Sequence, residues 1–331
     1  MGAPARGDKD EGVPMVRMIE YRRFGGPEVM EMVEAPEPVP GAGQVRVAVK
    51  AVGLNPVDWK IVSGMMGGDG PQQPQGVGRD YAGVVDAVGE GVTSVAVGDE
   101  VLGTMHVAPG RGPGGGTLTE RLVVEADSVV RKPAALSLVQ AAALGVVVEA
   151  ASGGLRTLKV SDGDVLVVSA ASGGVGSMAV QLAGRAGAAV IGIAGEDSLD
   201  RIRSLGAVAV AYGEDLEDRV RAAAPSPVTR LLDCHGPQYV DLALALGLAP
   251  EAIATIVPAP PSIAKGVRVT GSRDARPEDL RRAAALVADG TMTVTIARVY
   301  PFDVDSVRQA YTELRGGHVR GKLVVDLPET P

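Results

Sequence analysis

Aromatic residues and cysteine are scarce in this 331-residue chain, and each scarcity excludes a class of structure. Aromatic side chains make up 3% of the sequence, so the interior must be built from Val, Ala, Leu and Ile, as is typical of strands buried on both faces. The single cysteine, Cys234, excludes an intramolecular disulfide and a multi-cysteine metal site, and it is typical of a reducing compartment.

Basic charge and long apolar runs are also missing. The formal net charge of −8 at pH 7 argues against a nucleic-acid or anionic-membrane partner, so we expect the partners to be a small-molecule substrate or protein. A membrane-spanning helix needs about 18 or more apolar residues. The best candidate, Val240 to Val257, is interrupted by Asp241, Pro250 and Glu251. We therefore expect a soluble, cytoplasmic protein.

The chain length favours two domains, because a domain usually contains roughly 100–200 residues. Residues 1–14 lack the apolar core of a signal peptide and are predicted to form a disordered tail. Residues 15–135 contain short apolar segments separated by glycine and proline, a pattern typical of a β-barrel-like unit. Residues 136–290 alternate strand and helix, which predicts an α/β unit with a doubly wound parallel sheet. Residues 291–331 are expected to return to the β-rich unit.

The segment VLVVSAASGGVG (165–176) is an apolar strand that runs into a glycine turn. A dinucleotide fingerprint needs a tight turn, a bare backbone near the pyrophosphate and close packing of helix on strand. Ala171, Gly173 and Gly176 occupy these three places, and the following helix would present its N-terminus to phosphate. The alternative is an ordinary β-to-α turn. The predicted cofactor contacts in this turn are Ala171, Ser172, Gly173, Gly174, Val175 and Gly176.

The residues after the second strand favour NADP(H) while leaving NAD open. An NAD site places an acid at the tip of this strand, but the strand here ends at Ala194 and Gly195. Glu196 and Asp197 follow directly, so the pattern is mixed. Arg201, on the next helix, is a candidate to contact a 2′-phosphate; its alternative is a solvated helical face.

Five segments together resemble one family: NPVDWK (55–60), GRDYAGVVDAVGEGVTSVAVGDEV (78–101), AASGGVGSMAVQLA (170–183), LGA (205–207) and GHVRGKLVV (317–325). They are similar to the zinc-free quinone oxidoreductase, or zeta-crystallin-like, branch of the medium-chain dehydrogenase/reductases. The resemblance implies a GroES-like β-barrel catalytic domain, a Rossmann domain, NADPH in the cleft and a homodimer. In this family the glycine turn commonly begins with alanine, as at Ala171. Tyr212 matches a tyrosine that lies beside the adenosine end of the cofactor in this family. The alternative role for Tyr212 is packing at the edge of the sheet. Lys322 is a further predicted cofactor contact.

The positions that match the zinc ligands of zinc-dependent relatives, 55–58 and 78–80, contain no cysteine or histidine, the ligands that zinc prefers. We therefore predict an enzyme without zinc. A plain ketone is hard to reduce without a Lewis acid that stabilises the developing alkoxide. A quinone or an α,β-unsaturated carbonyl compound delocalises the incoming charge itself, which makes it the predicted acceptor.

The predicted catalytic residues are Asn55, Asp58 and Lys60, with Trp59 and Ala150 in contact with substrate. Asn55 is a candidate hydrogen-bond donor and Lys60 a candidate to stabilise negative charge or relay a proton. The alternatives are a turn residue for Asn55, a surface pair for Asp58 and Lys60, and packing for Trp59.

This chain departs from the family pattern at the presumed acceptor pocket. Lys60 stands where many relatives have tyrosine, and Ala150 and Ser152 stand in place of a threonine and an aromatic residue. Glu149 adds an unexpected charge beside them. Two further hypotheses therefore remain open: an enoyl-thioester or polyketide-tailoring enoyl reductase, and a cofactor-binding protein with little turnover.

Overall fold

The computed structural model describes residues 13–68, 70–106 and 115–327, and within these ranges the chain forms three β-sheets and ten α-helices. The predicted tail, residues 1–14, lies outside the described residues except for its last two.

Alternating apolar residues build the strands of the first part of the chain. In the strand Gln44–Gly53, Val45, Val47 and Val49 are buried, as expected for one face of an antiparallel sheet that covers a core. The elements are β1 (Met15–Tyr21), β2 (Met30–Pro36), β3 (Gln44–Gly53), α1 (Pro56–Val62), β4 (Gln75–Gly76), β5 (Asp80–Val88), β6 (Glu100–Thr104), β7 (Arg121–Glu125) and β8 (Val130–Arg131).

A parallel sheet follows in the middle of the chain. Its elements are α2 (Leu138–Ala142), α3 (Gly145–Leu158), β9 (Val165–Val168), α4 (Gly174–Arg185), β10 (Ala189–Ala194), α5 (Leu199–Ser204), β11 (Val208–Ala211), α6 (Leu216–Ala223), β12 (Arg230–Asp233), α7 (Pro237–Ala245), β13 (Ile253–Thr255), α8 (Pro260–Ala264), β14 (Arg268–Val269) and α9 (Pro277–Ala288). The six strands are parallel, in the order β11-β10-β9-β12-β13-β14. Counted from β9 this order is 3-2-1-4-5-6, so the predicted Rossmann fold is confirmed.

The last elements are β15 (Ile296–Pro301), α10 (Val304–Arg315) and β16 (Lys322–Asp326). β16 pairs antiparallel with β3, which places both C-terminal strands in the sheet of the first part of the chain. That sheet has the order β15-β16-β3-β5-β6-β8, with β7 also paired to β3, while β2, β1 and β4 form a separate small sheet. The start of β16 therefore meets residues from the ends of β3 and β5.

Helix length sets one limit on the fold. Among the described residues, none of the helices is both long enough and apolar enough to cross a membrane.

Candidate active site

The glycine turn connects β9 to α4 at the point where the strand order of the parallel sheet reverses. A ligand of an open α/β sheet binds outside the carboxyl ends of the strands at such a point. A Cβ atom at residue 176 would lie 2.3 Å from the carbonyl oxygen of Ala170, so Gly176 is needed for the close packing of helix on strand. At Gly173 a Cβ would meet only that same oxygen, at 3.2 Å, so the turn is open on its other sides.

The alanine at the first fingerprint position is accommodated by a second glycine. A Cβ at residue 192, in β10, would lie 2.9 Å from the Cβ of Ala171, so Gly192 provides the room for the extra methyl group. The residue that adopts a left-handed conformation is the preceding Ala170, with φ of 46°. Sequence reasoning missed both Ala170 and Gly192, because neither lies within the spacing of the fingerprint.

A buried carboxylate fixes the strand ends beside the turn. Asp233, at the end of β12, accepts hydrogen bonds from Ser169 Oγ at 2.8 Å, from the N–H groups of His235 and Gly236 at 2.9 Å, and from Thr255 Oγ1 at 2.8 Å. We call Ser169, Asp233 and Thr255 the sheet-side cluster. It joins the ends of three neighbouring strands and leaves no oxygen of Asp233 without a donor.

The residues predicted to contact the adenosine end lie together at the ends of β10 and β11. The N–H of Tyr212 donates to the carbonyl of Ala194 at 3.0 Å, and a Cβ at Gly195 would lie 3.3 Å from the Tyr212 hydroxyl. Tyr212 is exposed. Within the described part of the chain, the side chain of Arg201 has no hydrogen bond or ion pair, whereas Asp197 pairs with Arg320 at 2.9 Å.

A second polar cluster is buried where α1, β5 and β16 meet. Lys322 donates from Nζ to the Leu54 carbonyl at 2.9 Å, to Asn55 Oδ1 at 2.5 Å and to Asp80 Oδ2 at 3.3 Å. Asn55 in turn donates from Nδ2 to Asp80 Oδ2 at 2.9 Å. The ammonium group of Lys322 therefore lies among the oxygen atoms of Leu54, Asn55 and Asp80. Asn55 and Asp80 belong to the two segments predicted to match the zinc ligands of zinc-dependent relatives.

Asp58 extends this cluster and is the one carboxyl group in it with an incomplete set of donors. Its Oδ2 accepts from the backbone N–H of Asn55 at 2.8 Å and from the Tyr311 hydroxyl at 3.1 Å. Its Oδ1 accepts no hydrogen bond and lies 4.0 Å from Arg79 Nε. Burial disfavours the charged form and raises the pKa of Asp58 to about 7. We call Asn55, Asp58, Asp80, Tyr311 and Lys322 the barrel-side cluster.

Lys60 and Trp59 lie apart from this cluster. Residues two apart in a helix point about 200° apart, and Lys60 Nζ lies 6.0 Å from the centre of the Trp59 ring. Arg315 lies 5.6 Å from the same ring. The alternative of a surface pair between Asp58 and Lys60 is wrong, because Asp58 is buried and bonded to Tyr311. The catalytic role of Lys60 and the substrate contact of Trp59 stay predictions, and α1 does not bring them to Asn55.

Helix α3 connects the glycine turn to the barrel-side cluster. The N–H of Val146 donates to Asp80 Oδ1 at 2.8 Å. A Cβ at Gly174 would lie 2.9 Å from Val147 Cγ1 and 3.2 Å from Lys322 Cδ. The first turn of α3 and the Lys322 stem therefore stand between the predicted phosphate turn and Asn55. Lys322 thus lies beside the turn, but its ammonium group is bonded inside the protein.

Ala150 and Glu149 are on the next turn of α3. Ala150 is buried. Glu149 Oε1 lies 3.3 Å from His106 Nε2, and Glu149 Oε2 is buried without a hydrogen-bond partner. The hydrogen bond to Glu149 raises the pKa of His106.

No group of three or more His, Cys, Asp or Glu side chains in the described residues is arranged to hold a metal ion. Cys234 lies next to Asp233 at the end of β12, and burial raises the pKa of its thiol.

Comparison with known proteins gives the family. Residues 41–134 match the alcohol dehydrogenase GroES-like domain and residues 174–289 match the zinc-binding dehydrogenase domain. Together with the fold, these matches define a medium-chain dehydrogenase/reductase, an oxidoreductase enzyme. Within that class, the chain belongs to the quinone oxidoreductase branch.

Three relatives illustrate this assignment. The chain is 31% identical over 317 residues to the chloroplastic NADPH-dependent alkenal/one oxidoreductase of Arabidopsis thaliana, covering 92% of this chain and 78% of that protein. The structure of a quinone oxidoreductase from Coxiella burnetii has a TM-score of 0.80 and 28% identity, and the match covers 95% of this chain and all of that one. Pikromycin polyketide synthase component PikAII of Streptomyces venezuelae is 34% identical over 313 residues, but this chain spans 8% of its length.

Proposed function

We propose that the protein is an NADPH-dependent oxidoreductase that transfers hydride, without zinc, to a quinone or an α,β-unsaturated carbonyl compound. The observation that carries this proposal is the position of the Lys322 ammonium group. It is held by oxygen atoms of Leu54, Asn55 and Asp80, so an internal cation engages the side-chain oxygens at positions that match zinc ligands in zinc-dependent relatives.

The residues of the glycine turn fit a dinucleotide. Gly173 leaves the backbone open for a pyrophosphate, and the start of the 12-residue helix α4 provides free N–H groups and the positive end of a helix dipole. Ala194 and Gly195 are neutral, Asp197 is engaged by Arg320, and the Arg201 guanidinium has no partner in the described part of the chain; these features support NADPH over NADH. The name of the Arabidopsis relative agrees with this preference.

In a reaction without a metal ion, the acceptor itself must stabilise the negative charge that hydride transfer creates. When bound, NADPH supplies a hydride, and nothing in the barrel-side cluster replaces a Lewis acid at the acceptor oxygen, since Lys322 is fully engaged. An acceptor must therefore delocalise the charge itself, as a quinone or a conjugated enone does. The names of the alkenal/one and quinone oxidoreductase relatives support this class.

A panel of acceptors tests the proposal. NADPH oxidation, with NADH as control, is followed with quinones, enones and enoyl thioesters. We expect turnover with quinones or enones and a preference for NADPH. Tight NADPH binding without turnover of any acceptor would instead support the cofactor-binding protein with little activity, and no NADPH binding would contradict the proposal.

An enoyl-thioester reductase is the second candidate. The 34% identity to a polyketide synthase component favours it. Activity with enoyl thioesters but not with small quinones or enones would support this candidate over the first.

The homodimer stays a prediction that the family resemblance implies, and β14, an edge strand of the parallel sheet, supports it. An edge strand can pair with its copy across a two-fold axis. A monomeric mass by light scattering would contradict this prediction, and the cytoplasmic location also stays a prediction.

A further inference from the structure

The Glu149–His106 pair is a cluster of titratable groups that the proposed function does not use. His106 follows β6 by two residues, and the last residue of that strand, Thr104, donates to Asp80 Oδ1 at 2.9 Å. Glu149 is three residues after Val146, whose N–H donates to the same oxygen. Residues three apart on a helix lie on one side, so the pair stands one helical turn beyond the barrel-side cluster.

Glu149 and His106 differ in how deeply their side chains are buried. Glu149 has 12% of its side chain exposed, whereas His106 has 59% exposed. A buried carboxylate with an unfilled oxygen is costly unless a cation compensates it, so Glu149 holds the imidazole of His106 in place. His106 Nε2 makes this contact, and the exposure of the ring gives it access to water. Among the residues that the structure describes, none bonds to His106 Nδ1, so this nitrogen can face a bound molecule.

We propose that His106 is the catalytic acid that protonates the α-carbon of a reduced enone, with Glu149 as the positioning residue. The proposal rests on the proposed function. It assigns a role to a histidine and a glutamate that lie outside the five segments on which the family resemblance rests.

Reduction of the enone takes two steps, a hydride transfer and a proton transfer. Hydride from NADPH forms a C–H bond at the β-carbon, and the C=C electron pair moves to give an enolate, so that the acceptor is reduced and NADPH is oxidised to NADP⁺. The Nδ1–H bond of His106 then breaks, its proton forms the α-C–H bond, and the carbonyl group is restored. The neutral imidazole then takes up a proton from the solvent and becomes imidazolium again, so the net reaction consumes one proton.

The charged groups around the imidazole favour its protonated form. The Glu149 carboxylate, through its hydrogen bond, raises the pKa of His106; burial and Arg79 oppose it, and Asp80 adds to it. The raised pKa keeps the imidazole protonated to a higher pH than that of a free histidine, and an imidazolium is a suitable acid for an enolate.

The turnover of quinones and the turnover of enones by a His106 variant together distinguish this proposal from the proposed function. A hydroquinone anion takes its proton on oxygen, where water is a fast donor, whereas an enolate must be protonated on carbon. His106→Gln should therefore lower turnover of an enone by about 100-fold, within the range of general acid catalysis, and leave quinone turnover within about twofold. The control is His318→Gln, which changes an exposed histidine and should alter neither rate.

Two readouts complete the test. In D₂O the wild type should place deuterium on one face of the α-carbon, and His106→Gln should give a mixture of both faces. In the protein without cofactor, Glu149→Gln should lower the pKa of His106 in an NMR titration. Unchanged facial selectivity and enone rate in His106→Gln would overturn the proposal alone. Failure of the wild type to reduce any quinone or enone would overturn the proposed function and this step with it.

Discussion

The two buried polar clusters differ in how completely their carboxylates are hydrogen-bonded. This difference indicates that one cluster stabilises the fold and the other can take part in proton chemistry. In the sheet-side cluster, Asp233 accepts four hydrogen bonds from uncharged donors. In the barrel-side cluster, Asp58 leaves one oxygen without a hydrogen bond, and Asp80 shares an ammonium group with Asn55. The first cluster fixes strand ends, whereas the second holds a buried cation and a protonatable carboxyl group beside the glycine turn.

The largest effect is expected at Lys322. Lys322→Met removes the cation that three oxygens surround, and breaking a buried ion pair by removing one partner costs about 3–5 kcal/mol. Urea unfolding measures this loss. Lys265→Met is the matched control, because Lys265 pairs with Asp241 at the surface, where such pairs contribute about 0–1 kcal/mol. Equal losses in the two variants would contradict a charge-storing barrel-side cluster.

The raised pKa of Asp58 predicts that the stability of the protein depends on pH. Its pKa is about 7 in the folded protein, against an ordinary value of 3.8 for an aspartate side chain. Between these two pH values the folded state keeps a proton that the unfolded chain has released. The free energy of unfolding therefore falls as pH rises from about 4 to about 7, by up to about 1.4 kcal/mol per pH unit, and levels off above that.

Asp58→Asn should remove this part of the slope, because the amide cannot ionise and still accepts from Tyr311. Urea unfolding from pH 4 to 8 measures the slope in both proteins. A slope that is the same in wild type and variant would show that Asp58 ionises in the folded protein as it does in the unfolded chain.

Replacing Asp233 should lower the free energy of unfolding by less than replacing Lys322, because only hydrogen bonds from uncharged donors are lost. Asp233→Asn places an amide N–H group against existing donors and should cost about 1–3 kcal/mol. A double-mutant cycle with Thr255→Val should give a coupling of about 0.5–3 kcal/mol, since the two side chains are bonded. A coupling near zero would mean that the sheet-side cluster does not hold the strand ends together.

The smallest effect is expected at the glycine turn that follows β9. Gly173→Ala has room to fold, but its methyl group would stand in the path of the pyrophosphate and should raise the Kd for NADPH about tenfold, or about 1.4 kcal/mol. Gly176→Ala is the contrast, because its methyl group would clash with Ala170 and should cost about 1–3 kcal/mol of stability. An unchanged Kd in Gly173→Ala would contradict the placement of the pyrophosphate at this turn.

Local signals predicted the parallel sheet and the glycine turn, because strand period and glycine spacing are properties of adjacent residues. They could not predict the barrel-side cluster, since Tyr311 and Lys322 reach α1 from more than 250 residues away. Tyr311 was missed for that reason. Helical periodicity could have separated Asp58 from Lys60, because two residues along a helix bring side chains to different faces. The compensation of Ala171 by Gly192 depends on two paired strands and carries no sequence signal of its own.

The central claim is hydride transfer to a conjugated acceptor without zinc. NADPH oxidation by enzyme treated with a metal chelator, with an enone and with the matching saturated ketone, tests it most directly. We predict that the enone is reduced at the rate of the untreated enzyme and that the ketone is not reduced. Loss of activity with the chelator, restored by zinc, together with reduction of the saturated ketone, would contradict the account.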